Sequence, residues 1–125
     1  MTNQSAVKPT QSTVKPTITY DDFAKLDLRV GQVIEAQVPS WSQKLIEMKV
    51  SFGDEIGERT IMAGIQQWYQ PSDLINKKFI FVVNLAERKM GESVSQGMIL
   101  MVDDKDHRAF KIELPQEASV GDVIC

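Results

Sequence analysis

The sequence predicts an all-β domain: a five-stranded barrel with one short helical segment and a C-terminal extension. Three observations lead there. Several short runs alternate apolar with polar residues, the period of a strand that buries one face. Clusters of Gly, Pro, Ser and Asp interrupt these runs at intervals too short for helices. One stretch, between the third and fourth runs, departs from the alternation. With 125 residues, 42% of them hydrophobic and 25% charged, the chain has the size and composition of one globular domain with a real core.

Residues 1–19 are rich in Ser, Thr, Gln and Pro, and Val7-Lys8-Pro9-Thr10 recurs as Val14-Lys15-Pro16-Thr17. Such a segment is too polar to fold and reads as a disordered leader, or as a weak basic arm touching phosphates through Lys8 and Lys15. The folded domain is expected over residues 20–125. Asp21-Asp22-Phe23-Ala24-Lys25 resembles a capped turn. From residue 26 to 38 the even positions are largely apolar (Leu26, Leu28, Val30, Ile34, Ala36, Val38), a half-buried strand long enough to bend at Gly31. Pro39-Ser40-Trp41-Ser42 breaks it. Ile46, Met48, Val50 and Phe52 then alternate with polar residues in a second strand, and residues 59–63 form a short third.

Residues 65–75 lose the alternation, and Pro71-Ser72-Asp73-Leu74 is suited to start a turn of helix. Residues 78–84 and 96–102 read as strands four and five, joined by a polar, partly basic loop. Five strands with a helical segment between the third and fourth match an OB-fold, a partly open Greek-key barrel. Phe110, Ile112 and Leu114 alternate again, and Val120-Gly121-Asp122-Val123-Ile124 ends the chain. These pieces exceed what a small barrel needs. They cover one end of it or build a contact between copies.

The chemistry this composition excludes is broad. His107 is the only histidine, so no multi-His metal site exists, and no metal or cofactor is expected. No Gly-rich phosphate loop follows a strand, and no catalytic residue is assigned. No apolar run approaches a membrane span, and the N-terminus shows no signal-peptide block, so no membrane partner is expected. A lone cysteine, Cys125, precludes an intrachain disulfide and fits a reducing, cytoplasmic setting. The net charge of −3 argues against a generally basic nucleic-acid binder, so any such site must be a local patch. Lys77, Lys78, Arg88 and Lys89 are candidates for one, opposed nearby by Glu87 and Glu92.

Asn84-Leu85, Arg88-Lys89-Met90 and Ser95-Gln96-Gly97-Met98 carry a family resemblance, together with Asp27-Leu28-Arg29-Val30-Gly31, Lys44-Leu45 and Ala63-Gly64-Ile65. In this order they resemble the tRNA-binding domain appended to methionyl-tRNA synthetases. The module is also similar to the RNA-binding half of endothelial monocyte-activating polypeptide and to free-standing bacterial tRNA-binding proteins. The resemblance covers nearly all of residues 20–125. It implies a non-catalytic tRNA-binding module, an accessory (beta) chain or appended domain of methionyl-tRNA synthetase, with little sequence specificity. It also implies that residues 103–125 build a homodimer, through Phe110, Ile112, Leu114, Val120 and Val123.

For the site the resemblance implies Lys44, Arg88 and Lys89 on phosphates, with Arg88 also able to stack on a base. Asn84 and Ser95 would hydrogen-bond base edges or 2′-hydroxyls, Gln96 would add hydrogen bonding, and Gly97 would allow close backbone approach. Met98 lies against a base face or, as a Met in an apolar run, in the core. Lys44 is equally readable as a solvated loop lysine. Two departures stand out. Where the family carries an acidic residue before Lys-Leu this chain has Gln43, with Trp41 as an insertion in the preceding loop, and Gly91-Glu92 stands where relatives often place another basic or bulky residue. Trp41 is either a stacking platform or packed on its own barrel. The alternative function is a CsaA-type export chaperone that binds unfolded polypeptides. Asp54-Glu55-Ile56-Gly57 resembles that branch, whereas Ser95-Gln96-Gly97-Met98 does not.

Overall fold

The structure, a computed structural model, describes residues 13–125. The first Val-Lys-Pro-Thr unit, with Lys8, lies outside the described residues; the second is exposed and has no regular structure. Folding begins at the expected capped turn, α1 (Tyr20–Phe23). Thr19 caps it: its hydroxyl accepts from the Asp22 amide, and the Asp22 carboxylate accepts from the Thr19 amide.

Three antiparallel strands follow: β1 (Leu28–Gln37), β2 (Ile46–Ser51) and β3 (Glu58–Ala63). In β2 the alternation holds without exception, with Ile46, Met48 and Val50 fully buried and Phe52 continuing the face beyond the strand. In β1 it changes phase. Gly31 and Val33 are buried, Val33 opposite the buried Val50, while Ile34 is half-buried; the register with β2 then skips Ile34 in a bulge, after which Ala36 packs against the core. Beneath the Phe52–Phe81 edge-to-face pair, with centroids 5.3 Å apart, runs Gly31. A β-carbon there would come within 2.7 Å of both rings.

A 3-10 helix (Pro71–Asp73) leads through buried Leu74 into β4 (Lys78–Val82), which lies antiparallel beside β1. The anticipated loop after β4 contains a hairpin, β5 (Arg88–Met90) with β6 (Ser93–Ser95). Beyond it the anticipated fifth strand divides. β7 (Met98–Ile99) pairs with β4, whereas β8 (Met101–Asp103) pairs with β9 (Ala109–Lys111). The sheet order is β3-β2-β1-β4-β7, and residues 95–97 return to β3, so the sheet curls into a nearly closed OB-like barrel. The core lies within it, and each fully buried large apolar side chain contributes about 1.5–3 kcal/mol.

The C-terminal extension straps the outside of this barrel. Lys111 donates through its backbone amide to the Tyr69 hydroxyl and through Nζ to the Asp73 carbonyl. Lys78 Nζ donates to the carbonyls of Gln116 and Ala118, both at 2.7 Å. The last strand, β10 (Val123–Ile124), pairs with the start of β1, and Arg29 donates to the Gly121 carbonyl. Among the described residues, no helix is long and apolar enough to cross a membrane.

Candidate nucleic-acid interface

The β5–β6 hairpin sits where the barrel closes, and its residues divide into those that make the closure and those that face outward. Ser95 is buried. Its hydroxyl accepts from the Met62 amide and donates to the Gly97 carbonyl, both at 3.0 Å, and so stands in for a missing ladder bond to β3. Gln96 continues the seam: its amide donates to the Thr60 carbonyl, and its Oε1 accepts from the Thr60 amide. Gly97 runs so close to β4 that a β-carbon would meet the Val82 carbonyl oxygen at 2.8 Å. Arg59, which sequence reasoning did not single out, donates to the carbonyls of Val83 and Gln96 and clamps both sides of this seam. Its only sequence signal was an arginine in an otherwise short strand.

Asn84 makes a second tie. Its Oδ1 accepts from the Asp27 amide at 2.8 Å, and its Nδ2 donates to the Lys25 carbonyl at 2.7 Å. Asp27 also receives Arg29 at 2.6 Å, which raises the arginine's pKa through that hydrogen bond. The amide of Asn84, the hydroxyl of Ser95 and the backbone of Gly97 are therefore all engaged within the chain.

Lys44, Arg88, Lys89 and Met98 face solvent instead. No ion pair or side-chain hydrogen bond engages the three cations among the described residues. Arg88 and Met98 border an open groove of about 600 Å³ lined chiefly by apolar side chains, including Met62, Trp68, Leu85 and Met101. Met98 is 46% exposed and belongs to this groove rather than to the core.

Lys77 and Lys78 do not join this patch. They lie at the opposite end of β4, where Lys78 holds the C-terminal strap and Lys77 pairs with Glu113 at 3.8 Å. Lys111 belongs to the same cluster. The neighbouring Lys77 ammonium, a like charge, holds its pKa below the ordinary lysine value, and burial adds to the effect.

Trp41 packs on its own barrel. The benzo edge of its indole covers the Cα of Gly91, in the two-residue turn between β5 and β6. Gly91 has φ +65°, which favours glycine there.

Residues 28–123 match the family model described as "Putative tRNA binding domain". The chain is 42% identical over 112 residues to the methionine–tRNA ligase of Clostridium acetobutylicum; the match covers 89% of this chain but 17% of the ligase. Among solved structures, a MetRS-related protein from Pyrococcus horikoshii superposes with a TM-score of 0.84 at 38% identity, covering 89% of this chain and all of that one. The chaperone CsaA of Bacillus anthracis superposes with a TM-score of 0.78 at 26% identity, covering 88% of this chain and all of that one.

Proposed function

The chain belongs to the tRNA binding domain family, and on that premise we propose that it holds tRNA for a methionyl-tRNA synthetase. It does so as an accessory chain or appended domain, in the cytoplasm, as a homodimer and without catalysis of its own. The observation that carries this reading is the set of three unpaired, exposed cations, Lys44, Arg88 and Lys89, on a chain whose net charge is −3. On so acidic a surface, cations left without carboxylate partners favour phosphate as their counter-charge. Met98 and the apolar groove beside Arg88 give unpaired bases a surface to lie against. Phosphate contacts of this kind position RNA without reading its sequence, so the module raises the effective concentration of tRNA near an enzyme.

Asn84, Ser95, Gln96 and Gly97 serve the site by shape. They close the barrel from which the hairpin projects, and their polar groups are supplied within the chain.

The likeness to CsaA and the apolar groove favour a second reading, capture of unfolded polypeptide. Parallel titrations with bulk tRNA and with a permanently unfolded polypeptide separate the two. The proposal expects saturable tRNA binding that weakens with salt. Binding of the polypeptide alone, with no tRNA shift, overturns it.

A further inference from the structure

The three cations of the proposed site lie on two segments distant in sequence: Lys44 between β1 and β2, Arg88 and Lys89 on β5. Each is braced internally. The Ser42 hydroxyl accepts from the amides of Lys44 and Leu45, both at 3.1 Å, and the Gln66 side chain donates to the carbonyls of Ser42 and Leu45. In the hairpin, Arg88 pairs with Ser95 and Met90 with Ser93.

The Ser93 hydroxyl donates to Glu47 Oε2 at 2.9 Å, while Gln37 holds the other oxygen of that carboxylate. The indole of Trp41 is seated on Gly91, so close that a β-carbon would come within 2.0 Å of Cζ3. The seat therefore requires both a large flat side chain on the loop and no side chain at the turn.

We infer that Trp41 is a positioning residue that ties the Lys44 loop to the Arg88–Lys89 hairpin, so that the three cations meet the RNA backbone as one prearranged surface. This rests on the tRNA reading above. The turn residue that leaves the hairpin without an extra cation at position 91 is the one that admits the indole. Held in place beforehand, the two segments need not be ordered when RNA binds, and the ordering cost falls on folding rather than on association.

The test uses the full chain with Trp41→Ala, Trp41→Phe and Gly91→Ala. Amide exchange over residues 88–95, with no RNA present, should quicken about tenfold in Trp41→Ala as the hairpin loosens. Affinity for bulk tRNA should fall about tenfold at each of two salt concentrations, with the salt slope unchanged because the same phosphate contacts form once bound. Trp41→Phe, which keeps a flat ring, should restore binding to within about twofold of wild type. Gly91→Ala leaves the indole in the chain but denies it the seat, and should reproduce the tRNA loss even where Trp41→Ala does not fold.

Unchanged hairpin exchange, or unchanged tRNA affinity in folded Trp41→Ala or Gly91→Ala, overturns the inference. A flattened salt slope in Trp41→Ala does so too, since it would mean that phosphate contacts were lost outright. Failure of the wild type to bind tRNA counts against the proposed function, and the exchange measurement still decides the tie.

Discussion

One hydroxyl illustrates how the site is built. Ser95 presents Oγ to the Met62 amide in a buried position, so removing it leaves a backbone N–H of β3 without a partner. Ser95→Ala should cost about 1–3 kcal/mol of folding stability, seen in thermal or urea denaturation, while the folded variant binds tRNA as wild type does. Met98→Ala should behave inversely. Its side chain is exposed in the groove, so stability should barely change while tRNA affinity falls by roughly 1–3 kcal/mol. The sequence singled out Ser95-Gln96-Gly97-Met98 as a unit. Which of these residues face the seam and which face solvent depends on how the chain closes on β3, a contact more than thirty positions away for Ser95 and Gln96. A motif read along the chain carries no record of that direction.

At the level of elements, legibility followed the strength of the alternation. β2 was plain because Ile46, Met48, Val50 and Phe52 all point inward. β1 was located, but its phase was misjudged, because Leu28 and Val30 are buried outside the core cluster, Gly31 and Val33 are buried at odd positions, and a bulge at Ile34 adds a residue that period two cannot register. The β5–β6 hairpin escaped because its strands have three residues each and no buried apolar face, with Arg88, Lys89 and Val94 all exposed. Gly91 was the available hint. The fifth run was read as one strand because its residues are uniformly apolar, yet it serves β4 first and β9 afterwards.

The β8–β9 turn also carries a pH dependence. The Asp104 carboxylate accepts from the Arg108 amide, the Arg108 side chain and the Asp106 amide, at 2.9–3.0 Å. These contacts, the Arg108 amide foremost, hold its pKa below the ordinary aspartate value against the opposing effect of burial. A depressed folded pKa means that the stabilisation is complete above the unfolded value of about 3.9 and is lost as pH falls through the folded one. The side-chain carboxyl carbon of Asp104, followed by NMR as pH falls from about 6, should therefore titrate below the ordinary aspartate value. In Asp104→Asn the acid dependence of stability that this carboxylate contributes, read by urea denaturation between about pH 6 and pH 3, should be smaller than in wild type.

Over the whole molecule, the cations fall into two groups. The lysines at the start of β4 and on β9 are taken up by the C-terminal strap and Glu113, whereas Lys44, Arg88 and Lys89 are engaged by no ion pair among the described residues. On the strap itself, Phe110 is 43% exposed and Val123 64% exposed, both larger than a solvated surface needs. A homodimer through this region should sediment at twice the monomer mass at tens of micromolar, and Phe110→Glu with Val123→Glu should shift it to monomer without unfolding the barrel. A wild-type monomer at that concentration would remove the dimer from the account.

Whether phosphate contacts from Lys44, Arg88 and Lys89 hold tRNA is decided by the salt dependence of binding. Bulk tRNA is titrated at two salt concentrations against wild type and the Arg88→Ala, Lys89→Ala double variant. Each lost contact should lower the slope of log affinity against log salt by about 0.7–0.9, so the double variant should bind all tRNAs more weakly and lose about 1.4–1.8 from its slope. Equal affinity and equal slope for the two proteins would contradict the claim and leave the hairpin outside the RNA site.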